Sequence, residues 1–154
     1  MIFDRTVEDA ENAIKIRNEK VKNFLELTDE DIEILERGTL TINTLNRIEA
    51  KQNVISLMLQ TMGYEVYIET KNWDYDNIFD ISDFERWLNN LNIIKNAFFV
   101  YENTPYIPTM ENFKIDYINL NNIEKFLYDV EEICNKVISI YVYSDMIYSG
   151  QGVN

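Results

Sequence analysis

The sequence contains no histidine and only one cysteine, Cys134. Histidine is the commonest general base and a common metal ligand, so its absence removes most familiar catalytic and metal-binding arrangements. A single cysteine excludes an internal disulfide. Because Cys134 lies inside an apolar helical run, the sequence predicts a buried, unreactive thiol. The chain also has no glycine loop that could cradle a phosphate and no nucleophile with a recognisable base. We therefore expect no enzymatic activity and no cofactor.

Turn-forming residues are scarce as well, with only 4 glycines and 2 prolines. That number is too small for a β sandwich, which needs many tight turns. Apolar residues make up 46% of the chain and aromatic residues 13%, which predicts a packed core rather than disorder. At 154 residues the chain suits one domain, 1–154. Its last residues, 144–154, are predicted to form a tail that is flexible or bound to a partner.

Basic residues are the third shortage. Lysine and arginine total 14 against 27 aspartates and glutamates, which gives a formal net charge of −13. Such a surface repels phosphate backbones, so direct nucleic-acid binding is not expected. The charge has two remaining interpretations: solubility, or imitation of nucleic acid in front of a basic partner. No run of about 18 apolar residues occurs, so a membrane partner is not expected either. No signal pattern opens the chain, which predicts synthesis in a bacterial cytoplasm.

Apolar residues recur at helical spacing through most of the chain. The predicted helices begin at Thr6, Thr28, Thr41, Ser82 and near Asp116, and the last two end near Phe98 and Tyr143. The first four starts carry side chains that can cap a helix. Residues 64–68 alternate in a β-like pattern, which fits a lone hairpin strand or an extended connector equally well. The predicted fold is all-α: an antiparallel bundle of four to five helices with a long aromatic connector and at most one short β hairpin.

For three of these helices the sequence predicts which side faces inward. In the first helix the inward positions are Val7, Ala10, Ile14, Val21 and Leu25; in the second they are Ile32 and Leu35. The central helix, residues 41–63, has the widest apolar face, formed by Leu45, Ile48, Ile55, Leu59 and Met62 and widened by Val54 and Met58. Gln52 is the polar residue on that face, and Gly63 can adopt the left-handed turn that ends the helix.

Residues 74–85 resemble a twelve-residue calcium-binding loop, with oxygen ligands at five of the expected positions. Two positions depart from the pattern: Ile78 replaces an oxygen ligand, and Phe79 replaces the glycine of the sharp turn. Glu85 is also predicted to belong to a capping box that starts at Ser82. We therefore do not predict a metal site.

Aromatic side chains in the connectors are the remaining candidate site. Tyr75, Phe79, Tyr101 and Tyr106 lie outside the periodic helix faces, as does Trp73. Aromatic residues are enriched at the energetic centres of protein interfaces, so these four could form an interface. The alternative is that they cover the ends of the helical core. We expect a mixture of the two: Trp73 should be buried, and Tyr75 should be partly exposed at the rim of the core.

Several segments resemble a family of small phage and prophage proteins. In chain order they are Asp4-Arg5-Thr6, Leu45-Asn46-Arg47-Ile48-Glu49, Gly63-Tyr64, Trp73, Asp83-Phe84-Glu85-Arg86 with Asn92, Thr104-Pro105 with Pro108, residues 122–131, and Ser149-Gly150. The family occurs in low-GC Gram-positive bacteria and is encoded among tail, baseplate and fibre genes. Its motifs are structural, and here they include Leu45, Asn46, Arg47, Glu49, Glu124 and Asp129.

The resemblance implies a structural or attachment protein of a phage tail that contacts other tail or baseplate proteins and ends up in the virion or a tail-like particle. Self-association is left open. The alternative function is a small acidic phage inhibitor of a host defence nuclease, similar to an anti-CRISPR protein or a nucleic-acid mimic, which would cover a basic channel. A structural expectation accompanies both: Arg47 should pair with Glu124 or Asp129 on the last helix.

Overall fold

The computed structural model describes residues 1–112 and 116–149, and within that range the protein is all-α, as predicted. Its helices are α1 (Val7–Glu19), α2 (Asp29–Gly38), α3 (Ile42–Thr61), α4 (Ile81–Ala97) and α5 (Tyr117–Ser149), with short 3-10 turns at Val21–Asn23 and Met110–Asn112. Residues 64–68 form an extended connector and pair with no strand in the described part of the chain. α5 continues to Ser149, and residues 150–154 of the predicted tail lie outside the described range.

Local capping sets the starts of the first three helices where the sequence predicts them. Thr6 and Thr28 each accept a hydrogen bond from the backbone N–H three residues later, and an aspartate side chain accepts one in return. Thr41 accepts from the backbone N–H of Thr44 and caps α3. At the other end of α3, Gly63 takes the predicted positive φ, at 91°.

The predicted capping box at Ser82 is wrong. The Asp80 carboxylate accepts from the backbone N–H groups of Ser82 and Asp83, and the Asp83 carboxylate accepts from the N–H of Asp80. The capping box therefore begins two residues earlier than predicted, at Asp80. Its charged carboxylate accepts hydrogen bonds from two backbone N–H groups. Glu85 takes no part in the cap and is exposed.

The hydrophobic core lies between α3, α4, α5 and the connectors that cover them. Its largest fully buried apolar side chains are Trp87, Phe84, Phe126, Ile48, Ile55, Leu59, Leu91, Ile94, Ile123 and Leu127. Gln52 is buried as predicted for its position, and its side-chain oxygen accepts from Asn90 Nδ2 at 2.8 Å. Val54 is exposed, so the apolar face of α3 is narrower than predicted, whereas Met58 packs against the core.

Cys134 belongs to this core and is fully buried, as expected. Burial, together with the nearby charge of Glu131, raises the pKa of its thiol to about 11. The thiol is therefore protonated at neutral pH. None of the helices in the described part of the chain combines the length and apolar character needed to cross a bilayer.

α1 and α2 form a helical hairpin that packs mainly on itself. Ala13 and Ile16 are buried against α2, whereas Val7 and Ile14 face solvent. The predicted inward face of α1 is therefore wrong, and the helix ends at Glu19, before it reaches Val21 and Leu25. The physical reason is that α1 has one close helical neighbour, so one narrow stripe is covered and the rest of its apolar surface is left outside.

Gly38 sets how closely the two helices of this hairpin approach. A Cβ at this position would lie 2.1 Å from the Asp9 carbonyl oxygen and 2.4 Å from Ala13 Cβ. We expect Gly38→Ala to lower the free energy of unfolding by about 1–3 kcal/mol, as over-packing does, because backbone atoms must move apart. Urea unfolding measures this loss. Gly63→Asn is the control, because its site is open and asparagine tolerates a positive φ. Unchanged stability of Gly38→Ala would contradict the close contact.

The hairpin should weaken in acid. A hydrogen bond from Arg37 lowers the pKa of Asp9 from 3.8 to about 2, and one from Lys20 does the same for Asp31. Both folded pKa values lie below the unfolded value, so this contribution is complete above about pH 4 and is lost as the pH falls towards 2. We expect the urea midpoint to fall between pH 5 and pH 2.5. The fall should be smaller in the Asp9→Asn/Asp31→Asn variant, and an equal fall in both proteins would contradict the assignment.

Candidate functional site

Glu49 on α3 is a buried carboxylate, 2% exposed, that ties three segments together. It accepts from Trp87 Nε1 on α4 at 2.8 Å and from Trp73 Nε1 in the aromatic connector at 3.1 Å. The guanidinium of Arg86 binds both of its oxygens, and the backbone N–H of Lys71 donates at 3.2 Å. With its acceptor positions occupied by protein donors, Glu49 is a structural clamp rather than a site for substrate.

Glu124 on α5 forms the second buried clamp. It accepts from Arg5 Nη2 at 2.7 Å and from Arg47 Nη2 at 2.9 Å, and the backbone N–H of Ile2 also donates to it. The side chains of Arg5 and Glu124 are both fully buried. The predicted pairing of Arg47 with Glu124 is confirmed. The other option, Asp129, binds different donors.

The remaining motif residues also hold segments in place. Asp129 accepts from the Thr104 hydroxyl at 2.9 Å and pairs with Lys125, so it fixes the proline-containing loop against α5. Asn46 brackets Trp73 by accepting from its backbone N–H at 2.8 Å and donating to its carbonyl at 2.9 Å. Leu45 lies in the core. The resemblance marked these residues as structural, and their contacts give each a definite structural role.

The four candidate interface residues divide into two pairs. Phe79 lies between Trp73 and Trp87, with ring centroids 5.4 and 5.0 Å away, and is partly buried. Tyr101 packs against the core while its hydroxyl accepts from Lys136 Nζ at 2.8 Å. These two side chains therefore help to cover the core.

The other pair faces solvent. Tyr75 is 95% exposed and Tyr106 is 66% exposed. Trp73 is buried as expected, but Tyr75 is more exposed than the predicted rim position. The reason is a turn at Asp74, whose carbonyl accepts from the backbone N–H of Asn77 and whose carboxylate accepts from the N–H of Asp76. The turn directs Tyr75 away from the core.

A groove of about 360 Å³ lies beside Tyr75, and we name it the α2 groove. It is lined by Leu27, Ile32, Leu35, Glu36, Thr41, Ile42, Asn43 and Tyr75. Four of these side chains are aliphatic and one is aromatic, so the lining is mostly apolar. Ile32 was expected to point inward, but it is 42% exposed and lines the open groove. α1 packs on another side of α2, and this side faces the first residues of α3, where Asn43 Nδ2 donates to the Glu36 carboxylate.

The tip of the α1–α2 hairpin exposes further apolar surface close to Leu27 in the chain. Phe24 is 96% exposed and Leu25 is 56% exposed. Phe24 has a φ of 54°, a left-handed conformation that costs a non-glycine residue about 1–2 kcal/mol. A large side chain that is held out in a strained turn is typical of a surface used for contact. Sequence periodicity missed both residues because it extended α1 through them.

The carboxylates of the calcium-like loop are used elsewhere. Asp80 and Asp83 cap α4, and Asp83 also pairs with Lys71, while the Asp74 carboxylate stabilises its own turn. Among the side chains that the structure describes, no group of three or more acidic or cysteine residues is arranged to hold a metal ion.

Comparisons with protein-family models, with curated proteins and with solved structures find no significant match to this chain.

Proposed function

We propose that the protein is a structural component of a phage tail or baseplate that works through contacts with other virion proteins. The proposal starts from the resemblance to proteins encoded among tail genes. The observation that carries it is the apolar surface exposed in the α2 groove and at the hairpin tip that precedes it in the chain, because exposed apolar surface of this extent is typical of protein interaction sites. Tyr75 and Phe24 are its most exposed large side chains.

The scaffold supports the same proposal. The buried clamps at Glu49 and Glu124 each join α3 to other segments, and Asn46 fixes the connector that presents Tyr75. A surface held in one conformation loses little entropy when a partner binds, which favours stable assembly.

Mass spectrometry of purified virions, or of tail-like particles from the same prophage, tests the proposal. We expect the protein to be present at a fixed ratio to known tail proteins. Phe24→Ser and Tyr75→Ser should lower its incorporation, whereas Tyr67→Ser, which changes another exposed tyrosine outside the groove, should not. Absence of the unaltered protein from intact particles would overturn the proposed role.

The net charge of −13 favours a second candidate, an acidic inhibitor of a host defence nuclease. Such an inhibitor would bind a basic nucleic-acid channel through a complex that weakens as salt is added. Purified protein should then block cleavage by the nuclease at low salt and lose that effect at high salt. A pull-down from host lysate that recovers only virion proteins would count against the inhibitor.

A further inference from the structure

We infer that the α2 groove receives a basic amphipathic helix from a partner protein, one that places apolar side chains in the groove and lysine or arginine side chains along its rim. The inference rests on the proposed role in protein contacts and names the chemistry of the contact. Its basis is the combination of an apolar floor and acidic side chains along the α2 side of the rim.

The floor of the groove fits the apolar face of a helix. Ile32 and Leu35 lie three residues apart on α2 and therefore share one side of that helix. Leu27 precedes them, and Ile42 and Tyr75 complete the opposite wall. Grooves of this type bind helices that present apolar residues at spacings of three, four and seven.

The rim of the groove is acidic. Glu36 lines the groove, and Asp29 lies three residues before Ile32 on the same side of α2. Asp29 is exposed, so its charge is available to a partner on this side of α2. The set of lining residues includes no lysine or arginine. Positive charges on the partner would therefore meet complementary charges along the α2 side of the groove.

The same charges disfavour other occupants. A second copy of this chain would bring its own net charge of −13 to an acidic rim. Anionic lipid surfaces and nucleic acids would be repelled for the same reason. A basic amphipathic protein segment complements both the apolar floor and the acidic rim.

A peptide titration followed by NMR tests this inference. The probe is a 14-residue amphipathic peptide with leucine at helical spacing and lysine elsewhere, compared with a twin in which glutamate replaces lysine. We expect the lysine peptide to shift the signals of Ile32, Leu35 and Tyr75 and to bind at least about tenfold more tightly than its twin. Its affinity should fall as salt is added, since the rim is exposed.

Matched variants distinguish binding in the groove from nonspecific attraction of a basic peptide to an acidic protein. Ile32→Ser should weaken binding at least about tenfold, and Val54→Ser, which changes an equally exposed β-branched residue on α3, should not. Tyr75→Ser and Tyr67→Ser form a second pair with the same expectation. In the rim, Glu36→Gln should weaken the lysine peptide more than Glu65→Gln, which removes one charge outside the groove.

Several outcomes would overturn the inference. These are equal binding of the two peptides, signal shifts spread over the acidic surface without focus on the groove, or an unchanged affinity in Ile32→Ser. Sedimentation that shows a dimer dissociated by Tyr75→Ser would identify a second copy as the occupant instead. If the lysine peptide does not bind the groove but the protein is present in virions, the inference fails and the proposed function stands. Absence from virions together with specific binding of the lysine peptide would remove the virion role and keep the groove chemistry.

Discussion

Replacing Glu49 with glutamine is expected to lower the free energy of unfolding by about 3–5 kcal/mol, the range measured when one partner of a buried ion pair is removed. The substitution keeps the size of the side chain but removes its charge. It also turns one acceptor oxygen into a donor group that faces other donors. Trp73 Nε1, Trp87 Nε1 and Arg86 Nη2 already share Oε1, so an amide nitrogen in place of Oε2 would face the backbone N–H of Lys71 and Arg86 Nη1 with no acceptor for them.

Urea unfolding followed by tryptophan fluorescence measures this effect directly, because both tryptophans contact the clamp. Glu65→Gln is the matched control, since Glu65 is exposed and makes no ion pair with the other described residues. Its stability should stay within about 0.5 kcal/mol of the unaltered protein. A loss below about 1 kcal/mol in Glu49→Gln would mean that the clamp contributes little to the stability of the fold.

Glu124→Ala is expected to produce a second loss of about 3–5 kcal/mol. The change leaves Arg5, whose side chain is fully buried, without its carboxylate, and it removes the acceptor of the Ile2 N–H on α5. The two arginines should differ in their own contributions. Arg5→Ala should cost more than Arg47→Ala because the Arg47 side chain remains 24% exposed. Arg47→Ala should still cost more than the ~0–1 kcal/mol of an exposed pair.

Circular dichroism and urea unfolding of the three variants provide the ranking. The control is Lys136→Ala, which removes an exposed i,i+4 pair with Glu132 on the same helix and should change stability little. The reverse order, with Arg47→Ala more damaging than Arg5→Ala, would contradict the assignment of Glu124 as a buried clamp centred on Arg5.

The two clamps also explain how a domain without a disulfide, and without a metal cluster in the described residues, keeps its connectors ordered. The segments between α3 and α4 and before α1 have no regular secondary structure to satisfy their backbone groups. Asn46, Glu49 and Glu124 accept hydrogen bonds from backbone N–H groups in these segments. The charges of the two glutamates are balanced by the arginines that bind them. Buried backbone groups need such partners, so the carboxylates position the surface that the connectors carry.

The candidate site was only partly predictable. Tyr75 was identified from its place outside the periodic pattern, and its exposure makes it part of the α2 groove. Ile32 and Leu35 were assigned to the core, because an apolar stripe on a helix normally means burial. Whether that stripe is covered depends on which helices pack against it. In this protein α1 takes one side of α2, and the groove remains on the other.

The sequence by itself determined the features that depend on neighbours in the chain. The starts of α1, α2 and α3 are set by threonines whose side chains cap the backbone N–H three residues later. Apolar residues at helical spacing set the all-α class. Tertiary structure alone decided the features that depend on distant contacts. Glu49 is buried because two indole N–H groups and Arg86 arrive from elsewhere in the chain, and Val7 and Ile14 are exposed because no helix in the described residues covers that side of α1. Capping and periodicity act over three to seven residues, whereas burial is set by which surfaces meet.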